Sequence, residues 1–406
     1  MMTSHDVDLF GHDGYPAYST SELRRRHRLL EELAAERDLS SVVVFDSRDQ
    51  FYGHIQYFTN WPTSTDAYLV HRRDHDPVLL LRPYNHLPTA TACSSASDVV
   101  YGGASIEEML DKLKRLVSGS ATDGRGRRVG FIGNAPHAAT SWLSKEVGAL
   151  EWVDCNAAYR RWRSVLSDEE FAFVSVACTM GDAALAALGD GVRPGMREYE
   201  LAKTIGDAFL GRRGTALMHY YLTTPMAKPD GCVPRQQPTD RVIQAGDVLT
   251  TELSCWYWGY AGQALRTYAI CADPTPLYAN LYDVASAVYA DIVDGLRPGV
   301  TAGELLARTD VIEEEGFTIW DSVIHGFGGP ALLPPVVRTR ATGGVAAPAD
   351  PADAYVVQEN SLVIVQPNII TPDERAGVQL GNAVRVAASG PEVLHSYPMA
   401  FGRCGA

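Results

Sequence analysis

Several features that would assign this chain quickly are missing from it. No apolar run approaches the ~20 residues a membrane span needs, so no membrane role is expected. The start, Met1-Met-Thr-Ser-His-Asp6, lacks the basic-then-apolar order of a secretory signal. Cysteine is present at 93, 155, 178, 232, 255, 271 and 404, an odd and scattered set with no C-x-x-C pair. That pattern predicts reduced thiols in a cytoplasm, not a disulfide framework or a structural zinc site. Basic charge is short: 35 Lys and Arg face 49 Asp and Glu, for a net charge of -14. Nucleic acid and anionic membranes are therefore disfavoured as partners. The one basic run, Arg24-Arg-Arg-His-Arg28, lies in a helical pattern and reads as a solvated helix face.

What remains is a globular composition, with 46% hydrophobic and 21% charged residues. A length of 406 residues is long for one core and predicts two domains. Residues 20–38 read as a helix capped by Ser21. Ser41-Val-Val-Val-Phe-Asp46 reads as a buried strand, followed by strand candidates at 66–71, 77–82 and 128–132. Helices are expected near 106–117 and 138–147, and Ser118–Arg127 as a surface loop. This alternation predicts an α/β first domain over residues 1–160. From 161 to 406 the pattern changes. Ser167 and Glu170 form a capping box for a helix through Leu188, and a second helix starts near Glu198.

Within this second half a unit recurs. Gly191-Val-Arg-Pro-Gly-Met-Arg-Glu-Tyr-Glu-Leu-Ala202 matches Gly295-Leu-Arg-Pro-Gly-Val-Thr-Ala-Gly-Glu-Leu-Leu306. A long amphipathic helix precedes each Arg-Pro-Gly and a shorter one follows, which indicates one duplicated α+β unit and not a solenoid. Between the copies, Gly246–Thr267 reads as a strand, a turn at Gly259 and a returning strand. Strand alternation places Val248, Thr250, Glu252 and Ser254 on one face, and Gln263 with Leu265 on one face of the return. Cys255 falls on the opposite face and reads as core.

Four landmarks stand in order: Gly-Asp…Gly-Tyr…Arg-Thr across 246–267, Arg-Pro-Gly at 297–299, His-Gly-Phe-Gly at 325–328 and Val-Gln-Pro at 365–367. Together they resemble the pita-bread family of creatinase, Xaa-Pro aminopeptidase and methionine aminopeptidase. The resemblance implies an α+β fold: a pita-bread C-terminal domain behind a creatinase-like α/β N-terminal domain, working as a homodimer. In its metal-dependent members two aspartates, a histidine and two glutamates hold two divalent ions. Carried over, those places hold Glu252, Gln263, His325, Gln366 and Gly381. One carboxylate, one imidazole and two neutral amides do not balance two closely spaced dications. The expectation is therefore no metal and no cofactor, although a single weak ion on Glu252 and His325 is conceivable.

Creatinase works without metal, but its own residues are missing as well. Its histidine place holds Arg235, its glutamate places hold Leu265 and Gln366, and its second histidine place holds Leu332. Creatine is thus not the expected substrate. The resemblance instead implies a pocket of Glu252, Gln263, His325 and Gln366 with Leu265 and Leu332 as apolar wall. Glu252 with His325 is the best acid/base pair on offer. Arg235 is a candidate for a substrate carboxylate, Tyr220 and Tyr221 for donors. Trp61, in the loop Asn60–Asp66, is a candidate contribution from a partner subunit.

These readings favour a metal-independent enzyme of small-molecule metabolism that hydrolyses or eliminates at a C–N or neighbouring bond, with a role in specialised metabolite biosynthesis. Two alternatives stand beside it: a pseudo-enzyme kept as a binding module, and an Xaa-Pro peptidase-like metallohydrolase with displaced ligands.

Overall fold

The computed structural model describes residues 14–47, 53–73, 75–121, 127–146, 150–327, 332–337 and 355–405. The chain forms two compact units, Met1–Trp162 and Arg163–Ala406.

The first unit is built on a mixed six-stranded sheet of β1 (Ser41–Asp46), β2 (Ala67–Arg72), β3 (Val78–Leu81), β4 (Asp98–Tyr101), β5 (Arg128–Ile132) and β6 (Glu151–Asp154). Spatial order is β4-β3-β2-β1-β5-β6, with β1 antiparallel to β2 and parallel to β5. The unbroken apolar run of β1 follows from its position. Val42 and Val44 pack into one core while Val43 and Phe45 pack into the core on the other face. Both faces are covered, so no polar alternation is required.

Three local expectations need correction. The first helix, Thr20–Glu36, is capped by Ser19, whose side chain accepts from the Glu22 N–H, and not by Ser21. The helix Ile106–Ala121 runs on through the start of the expected 118–127 loop; residues 122–126 lie outside the described set. The basic run is not uniformly solvated. Arg26 is fully buried, donates from Nε to Glu22 at 2.8 Å and from Nη1 to the Tyr57 carbonyl at 2.7 Å. Its guanidinium lies 3.7 Å and 4.1 Å from the ring centroids of Tyr18 and Tyr57. A buried cation is tolerable here because charge pairing, a carbonyl and two π faces replace its water.

The second unit centres on a nine-stranded sheet. Its strands are β7 (Thr215–Pro225), β8 (Asp247–Tyr257), β9 (Tyr260–Ile270), β11 (Ile324–Phe327), β12 (Leu332–Val337), β13 (Ser361–Val365), β15 (Gly381–Ala387), β16 (Gly390–Val393) and β17 (Gly402–Cys404). The main path is β12-β11-β13-β15-β9-β8-β7, with β16 on β15 and β17 on β9. A small separate pair joins β10 (Thr318–Ile319) to β14 (Ile369–Ile370).

Two long helices, Asp168–Gly191 and Pro276–Gly295, pack against this unit's strands. The first is held at its start by the expected capping box, and Glu170 also accepts 2.6 Å from the Tyr260 hydroxyl. Its 24 residues are long and apolar enough to cross a membrane, but it lies against β8 and β9 with one face buried. That is the behaviour of a core helix. The two Arg-Pro-Gly segments carry matching backbone bonds. Gly195 N–H donates to Ile243 O and Gly299 N–H to Val357 O, both at 2.9 Å. The reciprocal bonds, Ile243 to Met196 and Val357 to Val300, are both 2.8 Å.

Arg266 ties the C-terminal segment to the sheet. Its buried guanidinium donates to the carbonyls of Leu265, Gly381, Tyr397 and Pro398 and to Asn382 Oδ1, at 2.8–2.9 Å. Arg266→Met is expected to lower the unfolding free energy by about 2–4 kcal/mol, because several buried acceptors lose their donor at once. Urea unfolding of the two proteins measures it.

Candidate functional site

The site is assembled on one face of the sheet. β8 and β9 are joined by Trp258-Gly259, with φ of 45° and 93°. Positive φ at both central residues matches a type I′ turn, which fixes the register. Ser254 is thereby set opposite Gln263 and Glu252 opposite Leu265. On the other side of β8, Tyr220 of β7 lies opposite Glu252. β11 sets His325 opposite Ile364, and Gln366 follows directly on β13.

Three of these side chains form one hydrogen-bonded ladder. Gln263 Nε2 donates to Glu252 Oε1 at 2.8 Å and to Gln366 Oε1 at 3.1 Å. Gln366 Nε2 in turn donates to the Ser322 carbonyl at 3.2 Å. Both glutamines are 1% exposed, whereas Glu252 keeps partial access to solvent. Burial, with the charge of Asp321 adding to it, pushes the Glu252 carboxyl up from 4.5 to about 7. The carboxyl therefore exchanges its proton near neutrality. His325 is buried and its Nδ1 lies 3.2 Å from the Gly326 carbonyl. A carbonyl only accepts, so the proton sits on Nδ1 and Nε2 keeps its lone pair. Burial holds the imidazole below its usual pKa, with the Gly326 carbonyl, Asp321 and Gln366 partly offsetting. It is neutral at pH 7.

The structure places the other predicted residues as follows. Tyr220 shares the site face with Glu252, and burial plus that carboxyl raise its phenol. Leu265 is fully buried beside it. Tyr221 points to the opposite face of the sheet, since neighbouring strand residues alternate, and lies near Glu198 and Ala202. Arg235 is drawn off as well: its Nη1 lies 3.2 Å from Glu198 Oε1. Glu198 is fully buried and also accepts from Thr223 and Thr239, so this pair braces a loop and does not face the site. Trp61 is 1% exposed in the core of the first unit and cannot present its ring to a ligand. The Leu332 side chain lies outside the described set; only its pairing with Phe327 is described. Sequence reasoning singles out neither Asp321 nor Ser322, and it sets Ser254 on the Glu252 face without giving it a role. For Ser254 the strand alternation held the signal; Asp321 and Ser322 sit in an irregular stretch with none.

A family model described as metallopeptidase family M24 matches residues 172–388, just over half of the chain. The chain belongs to family M24. Its relatives include an Xaa-Pro dipeptidase of Pyrococcus horikoshii, 22% identical over 272 residues that cover 66% of this chain and 73% of the relative. A creatinase of Bacillus sp. (strain B-0618) is 22% identical over 409 aligned residues, covering 94% of this chain and 92% of the creatinase. Among solved structures, the prolidase from Pyrococcus horikoshii OT3 superposes with a TM-score of 0.75 at 18% identity, covering 93% of this chain and 99% of that one. An Xaa-Pro dipeptidase from Bacillus anthracis gives 0.75 at 19%, covering 94% and 99%. The M24 pita-bread fold, of class α+β, is thereby established.

Set in the M24 frame, the five places implied for metal ligands have a defined geometry here. Gln263 directs its N–H donors, not its oxygen, toward Glu252 and Gln366. At Gly381 there is no room for any side chain. A Cβ built there would stand 2.6 Å from the Val365 carbonyl oxygen and 3.0 Å from Cα and Cβ of Gln366. Among the described residues, no three His, Cys, Asp or Glu side chains are placed to share an ion.

Proposed function

We propose that this M24 protein is a metal-independent enzyme that acts on a small polar molecule by acid/base chemistry, cleaving a C–N bond by hydrolysis or elimination. The observation that carries the reading is the Glu252 carboxyl, partly open to solvent, poised near pH 7 by burial and oriented by Gln263. A group with that pKa gives and takes a proton at physiological pH with little penalty either way. His325, held below its usual pKa by burial, is the complementary acceptor.

The donor set does not suit the pair of divalent ions that the M24 resemblance implies. Two dications repel unless anionic ligands bridge and neutralise them. Here there is one carboxyl that is half protonated at neutrality, an amide that offers N–H to the centre, and a glycine with no space for a ligand. No step is therefore routed through a metal. The relatives named Xaa-Pro dipeptidase and creatinase support hydrolysis as the reaction class and a small substrate. The creatinase alignment, which spans 94% of the chain, also supports reading the first unit as a creatinase-like N-terminal domain. A cytoplasmic homodimer serving specialised metabolite biosynthesis completes the proposal.

The test is a panel of small amides, ureas, amino-acid derivatives and Xaa-Pro dipeptides, followed by mass spectrometry before and after dialysis against EDTA. Turnover unchanged by EDTA is the expected result. Activity confined to Xaa-Pro dipeptides, lost with EDTA and restored by manganese or cobalt, would establish the displaced-ligand metallopeptidase instead. Tight binding of a panel member with no turnover would favour a binding module.

A further inference from the structure

The amide ladder has a fixed polarity. The Ser322 carbonyl can only accept, so it claims Nε2 of Gln366 and turns that side chain's oxygen toward Gln263. Gln263 must then answer with Nε2, because the flipped amide would set two oxygens face to face. Among the described residues the Gln263 oxygen is left over, buried and without a partner. The Ser254 hydroxyl, directly opposite in register, is also buried and has no partner among the described residues. The same holds for the Ser322 hydroxyl, on the residue that anchors the ladder. Buried polar atoms are nearly always paired, so three such atoms on the residues around Glu252 call for partners of matching donor and acceptor chemistry.

The chemistry of that complement is constrained. The Gln263 oxygen requires a donor, and hydroxyls serve as donor or acceptor. Among the described residues an anion finds no counter-charge, since Arg235 is held by Glu198 and Arg266 by backbone carbonyls and Asn382. A permanent cation would be stripped of water against Glu252, which already receives an N–H from Gln263, while Asp321 is exposed to water and accepts from the Ser322 N–H. We propose that the site recognises an uncharged carbamoyl group, a primary amide or urea, which donates an N–H to Gln263 Oε1 and exchanges hydrogen bonds with Ser254 and Ser322. This names a substrate class within the proposed function and rests on that reading for the identity of the site. It separates the protein from creatine, whose guanidino group is a cation, and from Xaa-Pro peptides, whose scissile nitrogen has no hydrogen.

The experiment compares three probes of nearly one shape and different charge: benzamide, benzamidine and benzoate, by ligand-observed NMR on the full chain at about pH 7. Benzamide is expected to bind at least about tenfold more tightly than either charged probe. Gln263→Glu, nearly isosteric, is expected to reverse the order in favour of benzamidine. Ser254→Ala provides a second variant if that one does not fold, and is expected to weaken benzamide about threefold to tenfold without favouring a charged probe. Equal or tighter binding of benzamidine or benzoate by the parent overturns the proposal. So does failure of benzamide to bind at all, or an order that folded Gln263→Glu leaves unchanged. The outcome is separable from the acid/base reading. Benzamide preference combined with full turnover by Glu252→Gln would sink only the latter, and loss of turnover without the preference would sink only the former.

Discussion

Glu252→Gln is expected to reduce turnover by a factor of about 100 to 10,000, the usual worth of a positioned general acid/base, while leaving ligand binding largely intact. The glutamine keeps an oxygen that accepts from Gln263 Nε2, so the ladder through Gln366 survives. What it removes is the proton that the parent exchanges at about pH 7. The same substitution has a signature in stability with a definite sign. The folded carboxyl is raised from 4.5 to about 7, so the folded state holds this proton more tightly than the unfolded chain does. Its favourable contribution is complete below about 4.5 and is lost as pH rises through about 7. Relative to the parent, Glu252→Gln should therefore be more stable by about 1–3 kcal/mol near pH 9 and show no such gain near pH 4. Thermal melts across pH read this directly. A flat difference between the two proteins would mean that the carboxyl is not raised, and full turnover would mean that it is not the acid/base.

Most of the architecture was legible because its signals are local. A β-branched run bounded by polar residues is a strand covered on both faces, and β1 begins and ends where the run does. Ser167 with Glu170 marks a helix start by mutual hydrogen bonding, independent of distant packing. The hairpin at Trp258-Gly259 sets register by turn geometry alone, so the face shared by Thr250, Glu252 and Ser254 could be counted from sequence. What failed depended on competition between distant groups. Arg235 reads as a substrate ligand because the resemblance sets it in a histidine's place. Nothing local shows that buried Glu198, 37 residues earlier, claims it. Tyr221 was grouped with Tyr220, although adjacent strand residues face opposite ways. Trp61 reads as a loop residue in sequence, whereas an indole of that size is worth more buried in the first unit's core than exposed. Arg26 looks like one more member of a charged run, and its burial depends on Tyr57, brought in from a second helix.

Restoring the acid that the M24 resemblance places at position 381 is expected to damage the protein and not to give it a metal site. Gly381 sits opposite Leu265 at the junction of β15 and β9, with the Val365 carbonyl pressed against the space a side chain would need. The clash with that oxygen at 2.6 Å is with backbone, not with the far end of a flexible chain, so relief requires β13 and β15 to separate. That separation would loosen the Val365–Asn382 pairing and disturb the Gly381 carbonyl, which accepts from Arg266. Gly381→Ala is expected to lower the unfolding free energy by about 2–3 kcal/mol from overpacking alone. Gly381→Glu should cost about 3–5 kcal/mol, since a second carboxylate is then buried beside Glu252 without a counter-charge. Denaturant unfolding orders the three proteins, and calorimetric titration with manganese or cobalt probes the restored acid. A Gly381→Glu protein as stable as the parent that also gains stoichiometric metal would show that the tight junction is not a barrier. The site would then be a metal centre missing one ligand. The expected order, parent above alanine above glutamate with no metal uptake, would tie the rebuilt chemistry to the backbone. The glutamines at 263 and 366 would then be of a piece with a sheet that leaves no space for a side chain at 381.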